Sequence, residues 1–351
     1  MTPAVTSLAF YLPQFHAIPE NDAWWGKGFT EWTHLRGAPR YSRDQVIRRP
    51  VAPLGEYSLE DPATLEAQWD LAHRHGIDGF AVWDYWFGAG KQLLQGPIER
   101  VLRDKLRFRY CLAWANHSWY DKSRGRLLCE QQYLGADDSA RYFERAFRHF
   151  ESDNYVKIDG KPVFIIYDAY GLPNFERFVD QWRELASKRG LPGLFMVADR
   201  VWEGSPQIEQ LDKYSNGFRF NTRRNKLVVN YLKEKLPLSF QAALGPRWFD
   251  FRRLEKDIVP PGASEKFAPT ALTGWDTTPR HGRRGVVYRH LDVDSFKRQL
   301  AASAQHFAAH ADSPGLLFLK SWNEWAEGNI LEPDDFYGMR WLEAFREHAM
   351  K

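Results

Sequence analysis

Short apolar runs alternate with amphipathic stretches along this chain from end to end. The runs are Leu8–Leu12, Gly79–Trp83, Tyr110–Ala115, Pro162–Tyr167, Leu194–Ala198, Tyr214–Phe218, Ala271–Gly274 and Leu316–Lys320. Most are apolar almost without interruption, as parallel strands buried on both faces require. The stretches between them carry helical signals. Asp61-Pro62 offers an N-cap and a proline at the first helical position, Leu65, Trp69 and Ala72 form one stripe, and Gly76 supplies the stop. Phe175, Phe178, Val179, Trp182 and Leu185 repeat the period before Gly190, and Phe296, Leu300, Ala304 and Phe307 do so before Pro314.

Eight strands alternating with helices predict an α/β fold, a (β/α)8 TIM-type barrel with elaborated βα loops, as one catalytic domain over residues 1–351. A doubly wound sheet is the competing topology, but the chain has neither a GxGxxG nor a P-loop near its start. Residues 219–269 fit the alternation least well and are expected to hold loop insertions.

Composition narrows the partners. A formal net charge of +3 gives no reason to expect nucleic acid. No apolar run is long enough to span a bilayer, so membrane insertion is not expected. The two cysteines, Cys111 and Cys129, have no zinc-site spacing. The opening residues run straight into Leu8-Ala9-Phe10-Tyr11 without a signal-peptide core. A cytoplasmic protein is expected, or one whose export signal has been removed. Aromatics make up 15 % of the residues, enough either for a large core or for a ring-lined cleft that would suit sugars and bases alike.

Barrel enzymes place their chemistry at the C-terminal ends of the strands. There this chain reads Gln14 and His16; Asp84, Tyr85 and Trp86; Asn116, His117 and Trp119; Asp168 and Tyr170; Asp199 and Arg200; Trp275 and Asp276. The last strand is followed by Ser321-Trp322-Asn323-Glu324-Trp325-Ala326-Glu327-Gly328. Carboxylates at i and i+3 share one side of a helical turn. Glu324 and Glu327 are therefore expected to converge on a site walled by Trp322 and Trp325. Two adjacent carboxylates beside flat apolar surfaces are what cleavage of a glycosidic bond requires. If Glu327 is the acid, its neighbour and that wall should raise its pKa. No metal-ligand or Ser-His-Asp pattern stands out, so neither metal nor cofactor is expected, and the partner is an oligo- or polysaccharide.

Two long motifs carry a family resemblance. Tyr11-Leu12-Pro13-Gln14-Phe15-His16 through Trp24-Trp25-Gly26-Lys27-Gly28-Phe29-Thr30-Glu31-Trp32 resembles the opening of the WbsX-like proteins of bacterial polysaccharide loci. Trp322-Asn323-Glu324-Trp325-Ala326-Glu327-Gly328 with Leu331-Glu332-Pro333-Asp334 resembles their closing signature. That family is related to the family ninety-nine glycoside hydrolases, the endo-α-1,2-mannosidases. The resemblance implies a retaining, endo-acting glycosidase of a bacterial surface polysaccharide. In it Glu324 acts as base on the substrate's own 2-hydroxyl and Glu327 as general acid. It also implies that Tyr11, Trp25, Glu31, Trp32 and Asn323 join the strand-end residues around the sugar. The family's historical label implies instead a glycosyltransferase of lipopolysaccharide or capsule assembly, and a non-catalytic glycan-binding barrel is a third reading. His117 and Asp84 depart from the residues usual in the family, so the substrate pocket is expected to differ. Asp334-Asp335 reads as the N-cap of the last helix. Finally, Arg219, Arg223, Arg224 and Lys226, and Arg280, Arg283, Arg284 and Arg289, follow two late strands. They are either solvated or grip an anionic glycan.

Overall fold

The computed structural model describes residues 5–121, 125–217, 230, 236, 240 and 243–348. Arg219, Arg223, Arg224, Lys226 and Phe218 lie outside these residues.

Eight parallel strands build the core: β1 (Val5–Tyr11), β2 (Gly79–Trp86), β3 (Tyr110–Trp114), β4 (Lys161–Ile166), β5 (Phe195–Ala198), β6 (Lys213–Tyr214), β7 (Thr270–Leu272) and β8 (Gly315–Lys320). Each pairs with the next from β1 to β6, and β8 lies between β7 and β1. A parallel bridge from Tyr214 to Phe267, in the segment feeding β7, closes the ring. Seven of the apolar runs thus form strands of a (β/α)8 barrel, and the sixth, Tyr214–Phe218, enters its strand only at Tyr214.

Helices pack outside the ring as the apolar stripes predict: α1 (Pro62–Arg74), α2 (Gly96–Asp104), α3 (Ala136–Phe150), α4 (Phe175–Lys188), α5 (Val293–Ala309) and α6 (Arg340–His348). Asp61 caps α1 by accepting from Ala63 N at 2.9 Å. The capping role read at Asp334 is not observed. Its carboxylate is buried, accepts from Arg48 Nη2 at 2.7 Å and from Phe336 N and Tyr337 N, and ends well before α6. Within residues 243–291, a two-stranded parallel ribbon, Arg247–Asp250 with Val286–Arg289, covers a small second core of Phe249, Phe251, Leu254, Ile258, Leu272 and Leu291.

Strand parity decides what reaches the mouth, because successive side chains face opposite ways. On β2, Phe80 packs outward against Tyr11 and Phe108, while Trp83 stacks on Phe10 inside, with centroids 4.6 Å apart. Asp84 and Trp86 therefore face the helix layer, and Tyr85 faces the mouth.

Candidate active site

Beyond β8 the chain folds back on itself. Asn323–Glu324 pairs antiparallel with Asn329–Ile330, and Trp325–Glu327 between them is one 3-10 turn. At three residues per turn, i and i+3 eclipse, so Glu324 and Glu327 come to one side, as their spacing predicts. Two glycines make the turn possible. Gly328 has φ +62°, and a Cβ there would lie 2.9 Å from Asp276 N. A Cβ on Gly274 would lie 2.2 Å from Gly328 O.

Glu324 is buried, and its Oε1 accepts from Trp83 Nε1 at 2.7 Å. Burial and the charge of Glu327 push the Glu324 carboxyl up to about 7, outweighing Lys320, the Trp83 hydrogen bond and Arg280. Glu324 is thus one carboxyl of the expected pair whose proton is held well above the ordinary carboxylate range. The partner of Glu327 is Arg280, whose other amino group reaches Glu31 Oε1 at 2.6 Å. Burial opposes the guanidinium's charge, but Glu31, Glu327 and Glu324 outweigh it. Glu31 is itself buried and accepts from Ala326 N at 3.0 Å, which ties the start of the chain to the turn. Arg280 sits on a short helix, Thr278–His281. Asp276 fixes that helix by accepting from Thr278 N at 2.9 Å and Gln45 Nε2 at 2.7 Å. The Asp276 N–H donates to Glu327 O at 2.7 Å.

Lys320 lies beneath the pair, its Nζ 3.3 Å from Asp199 Oδ2 and 4.6 Å from the centroid of Phe10. Burial works to discharge it, but Asp199 and Glu324 keep it protonated. Tyr167 meets Trp83 edge-on at 5.4 Å and lies within 5.3 Å of His117 and under Arg200. Tyr85 faces the same charges, its phenol raised first by burial and then by Glu324.

The structure separates the expected site residues into three groups. Glu324, Glu327, Glu31 and Tyr85 come together, with His117 exposed on the rim and Tyr170 exposed further out. A second group holds strand ends to one another. Asn323 Oδ1 accepts from Leu12 N at 2.8 Å. Asn116 exchanges hydrogen bonds with the backbone of Asp168, whose carboxylate accepts from Gly171 N at 3.2 Å. Gln14 meets Glu31 through its carbonyl, and Asp276 belongs here too.

In the third group Tyr11, Trp32, Asp84, Trp86, Trp322 and Trp325 are buried, and His16, Trp25 and Trp275 are partly exposed. Trp322 and Trp325 are fully buried rather than walls for a sugar. Trp322 packs on Phe80, and Trp325 packs on Trp32 and donates to Glu332 at 2.7 Å. The hairpin turns both rings into the helix layer. Trp32 donates to Tyr57 O, Tyr11 donates to Gln68, and Trp25 packs on Phe29 and His34. His16 is largely buried, which lowers its pKa. Asp84 accepts from Arg145 at 2.7 Å and Tyr142 at 2.6 Å. Trp86 and Trp275 line two side cavities of about 200 and about 530 Å³, the second behind Gly328. Sequence reasoning missed Trp83, Tyr167 and Lys320. A lysine closing an otherwise apolar strand was the available signal for the last.

Of the late-strand arginines, Arg280 pairs with glutamates, Arg283 donates to Ala243 O, and Arg289 stacks on Trp248 near Asp44. Among the described residues no group of three or more His, Cys, Asp or Glu side chains is placed to hold a metal ion, and no helix is long and apolar enough to cross a membrane.

Residues 7–345 match the family described as "Glycosyltransferase WbsX". Two proteins of Xanthomonas campestris pv. campestris, each described as "Uncharacterized protein WxcX", are 34 % identical (strain B100) and 33 % identical (strain ATCC 33913) over 353 residues, 97 % of this chain. The chain spans about half the length, 49 %, of these relatives. A solved "Glycoside hydrolase-like protein" shares the fold with a TM-score of 0.59 at 13 % identity, over 99 % of this chain and 94 % of that one. The GH99 endo-alpha-mannosidase of Bacteroides thetaiotaomicron does so with a TM-score of 0.51 at 15 % identity, over 98 % of each chain.

Proposed function

The chain belongs to the WbsX family, and from that premise we propose that it is a carbohydrate-active enzyme, a retaining and endo-acting glycoside hydrolase of a bacterial surface polysaccharide. The observation that carries this reading is the buried Glu324, raised to about 7, beside the ion-paired Glu327. Cleavage needs one carboxyl that holds a proton and one that takes a proton, and like charges in a buried pair provide both at neutral pH.

In the reaction a carboxylate removes the proton of the substrate's 2-hydroxyl as that oxygen bonds to the anomeric carbon. The glycosidic bond breaks, and the other carboxyl protonates the departing oxygen. Water then opens the 1,2-anhydro sugar with the roles reversed, which restores both groups and retains configuration. The resemblance assigns the first role to Glu324 and the second to Glu327. The Arg280–Glu327 ion pair favours the opposite assignment, with Glu324 as the acid. An aryl glycoside with a good leaving group separates the two, because it needs no acid. The variant, Glu324→Gln or Glu327→Gln, that keeps most of its rate on that substrate while losing it on the polysaccharide identifies the acid. Equal losses in both variants on both substrates would overturn the two-role reading.

The family's name favours a glycosyltransferase as the second reading. A transferase would be stabilised against heat by its nucleotide-sugar donor through mass action, and a hydrolase would not. A concentration-dependent rise in Tm with a nucleotide sugar would therefore replace the hydrolase reading.

A further inference from the structure

Arg200 stands apart from the other charges of the mouth. It lies two residues beyond β5 with φ +62°, a left-handed conformation that an arginine adopts only at a cost and that recurs at ligand-binding positions. Its guanidinium lies over the Tyr167 ring, 4.5 Å from the centroid. Among the described residues no carboxylate pairs with it, in contrast to Arg48, Arg145 and Arg280. Neighbouring groups hold this posture. Its N–H donates to Asp199 Oδ1 at 3.0 Å, and Gly217 leaves the space it fills, since a Cβ there would lie 2.5 Å from Arg200 Cγ. Two residues on, Trp202 N donates to the Tyr170 hydroxyl at 3.0 Å. Trp202 and Tyr170 each remain 43 % exposed, as sugar-stacking rings must be.

We propose that Arg200, stacked on Tyr167 and flanked by Trp202 and Tyr170, is a subsite for a carboxylate-bearing sugar, so that the substrate is an acidic glycan. This rests on the reading that the barrel mouth takes a glycan. The planar guanidinium offers a bidentate fork to a carboxylate, and the ring beneath sets its plane before the ligand arrives. Tyr167 meets Trp83 edge-on at 5.4 Å, and Trp83 donates to Glu324 at 2.7 Å, so one ring separates the subsite from the carboxylate pair. The anion grip, one of the two readings of the late-strand arginines, falls in this proposal to Arg200, just beyond the fifth strand.

The carboxylate could belong to a uronic acid or to a pyruvate ketal. The test titrates the wild-type chain at fixed ionic strength with D-glucuronate, methyl 4,6-O-pyruvyl-glucoside and D-glucose, followed by saturation-transfer NMR. At least one acidic sugar should bind about tenfold or more tightly than glucose, the usual worth of a charge-assisted contact at a partly exposed site. Which of the two binds identifies the source of the carboxylate. Arg200→Gln should bring that sugar to the level of glucose, and Arg200→Lys, which keeps the charge but not the fork, should retain part of the affinity. Equal binding of all three sugars, or an Arg200→Gln affinity within twofold of wild type, would overturn the proposal. Because binding is read without turnover, failure to cleave any polymer would sink the hydrolase reading and leave this result standing. A neutral polymer cleaved while acidic sugars are ignored would do the reverse.

Discussion

β2 divides two buried charge clusters. On its outer side Asp84 meets Tyr142 and Arg145, and Arg145, Arg148 and His149 share Glu99. On its inner side Glu324, Glu327 and Glu31 gather, with Asp199 below; there Arg280 bridges Glu31 and Glu327, and Lys320 meets Asp199. Burial works to raise Glu99, but the His149 hydrogen bond and the charge of Arg145 overcome it and hold the carboxyl at about 2. Glu324, buried and facing the charge of Glu327, is driven to about 7. A buried carboxyl held ionised by its partners serves the fold, whereas one raised toward neutrality keeps a proton available. The outer cluster should therefore answer to stability measurements and the inner one to rate measurements.

The largest test breaks the outer cluster. Arg145→Met leaves Asp84 buried and uncompensated, so about 3–5 kcal/mol of stability should be lost. The activity of the molecules that remain folded should be nearly unchanged. A stable but inactive variant would move this cluster into the site.

The next test uses pH. Glu324 binds its proton more tightly folded than unfolded, so its contribution to stability is full below about pH 4.5 and declines as pH rises to about 7. Glu324→Gln should therefore match wild type at pH 4 and exceed it at pH 8, by on the order of 3 kcal/mol. Glu99 has the opposite sign, and its contribution is lost only as pH falls from about 4.5 toward 2. An unfolding midpoint of Glu324→Gln that tracks wild type across pH 4–8 would refute the raised carboxyl. The same substitution should cost about two orders of magnitude in rate, or more, on the polysaccharide.

The smallest effect is expected at the boundary. Trp83→Phe removes the indole donor to Glu324 and keeps most of the ring, so the rate should fall about tenfold, with an upward shift of the ionisation assigned to Glu324. An unchanged pH–rate profile would mean that this hydrogen bond does not tune the carboxyl.

The strands were legible because parallel strands buried on both faces leave unbroken apolar runs; the run broken by Ser215 and Asn216 met its strand only at Tyr214. The Glu324/Glu327 convergence was legible from spacing alone. Orientation was less so. Counting by twos from Phe80 would have turned Asp84 and Trp86 away from the mouth and Trp83 and Tyr85 toward it. Trp322 and Trp325 misled because the hairpin at Asn323–Ile330 depends on Gly274 and Asp276, about fifty residues upstream. The contacts of Arg280 with Glu31 and Glu327 join three separate loops, and no local pattern announces a partner 249 residues away.

Asn323 clamps Leu12 across 311 residues, and Glu31 holds the amide of Ala326 across 295. The first and last barrel strands therefore finish the site together. During synthesis, which runs from the N-terminus at roughly 5–20 residues per second, the opening segment waits for its partner until the closing hairpin leaves the ribosome. A fragment that stops short of Asn323 lacks both ties, and with them Glu324 and Glu327.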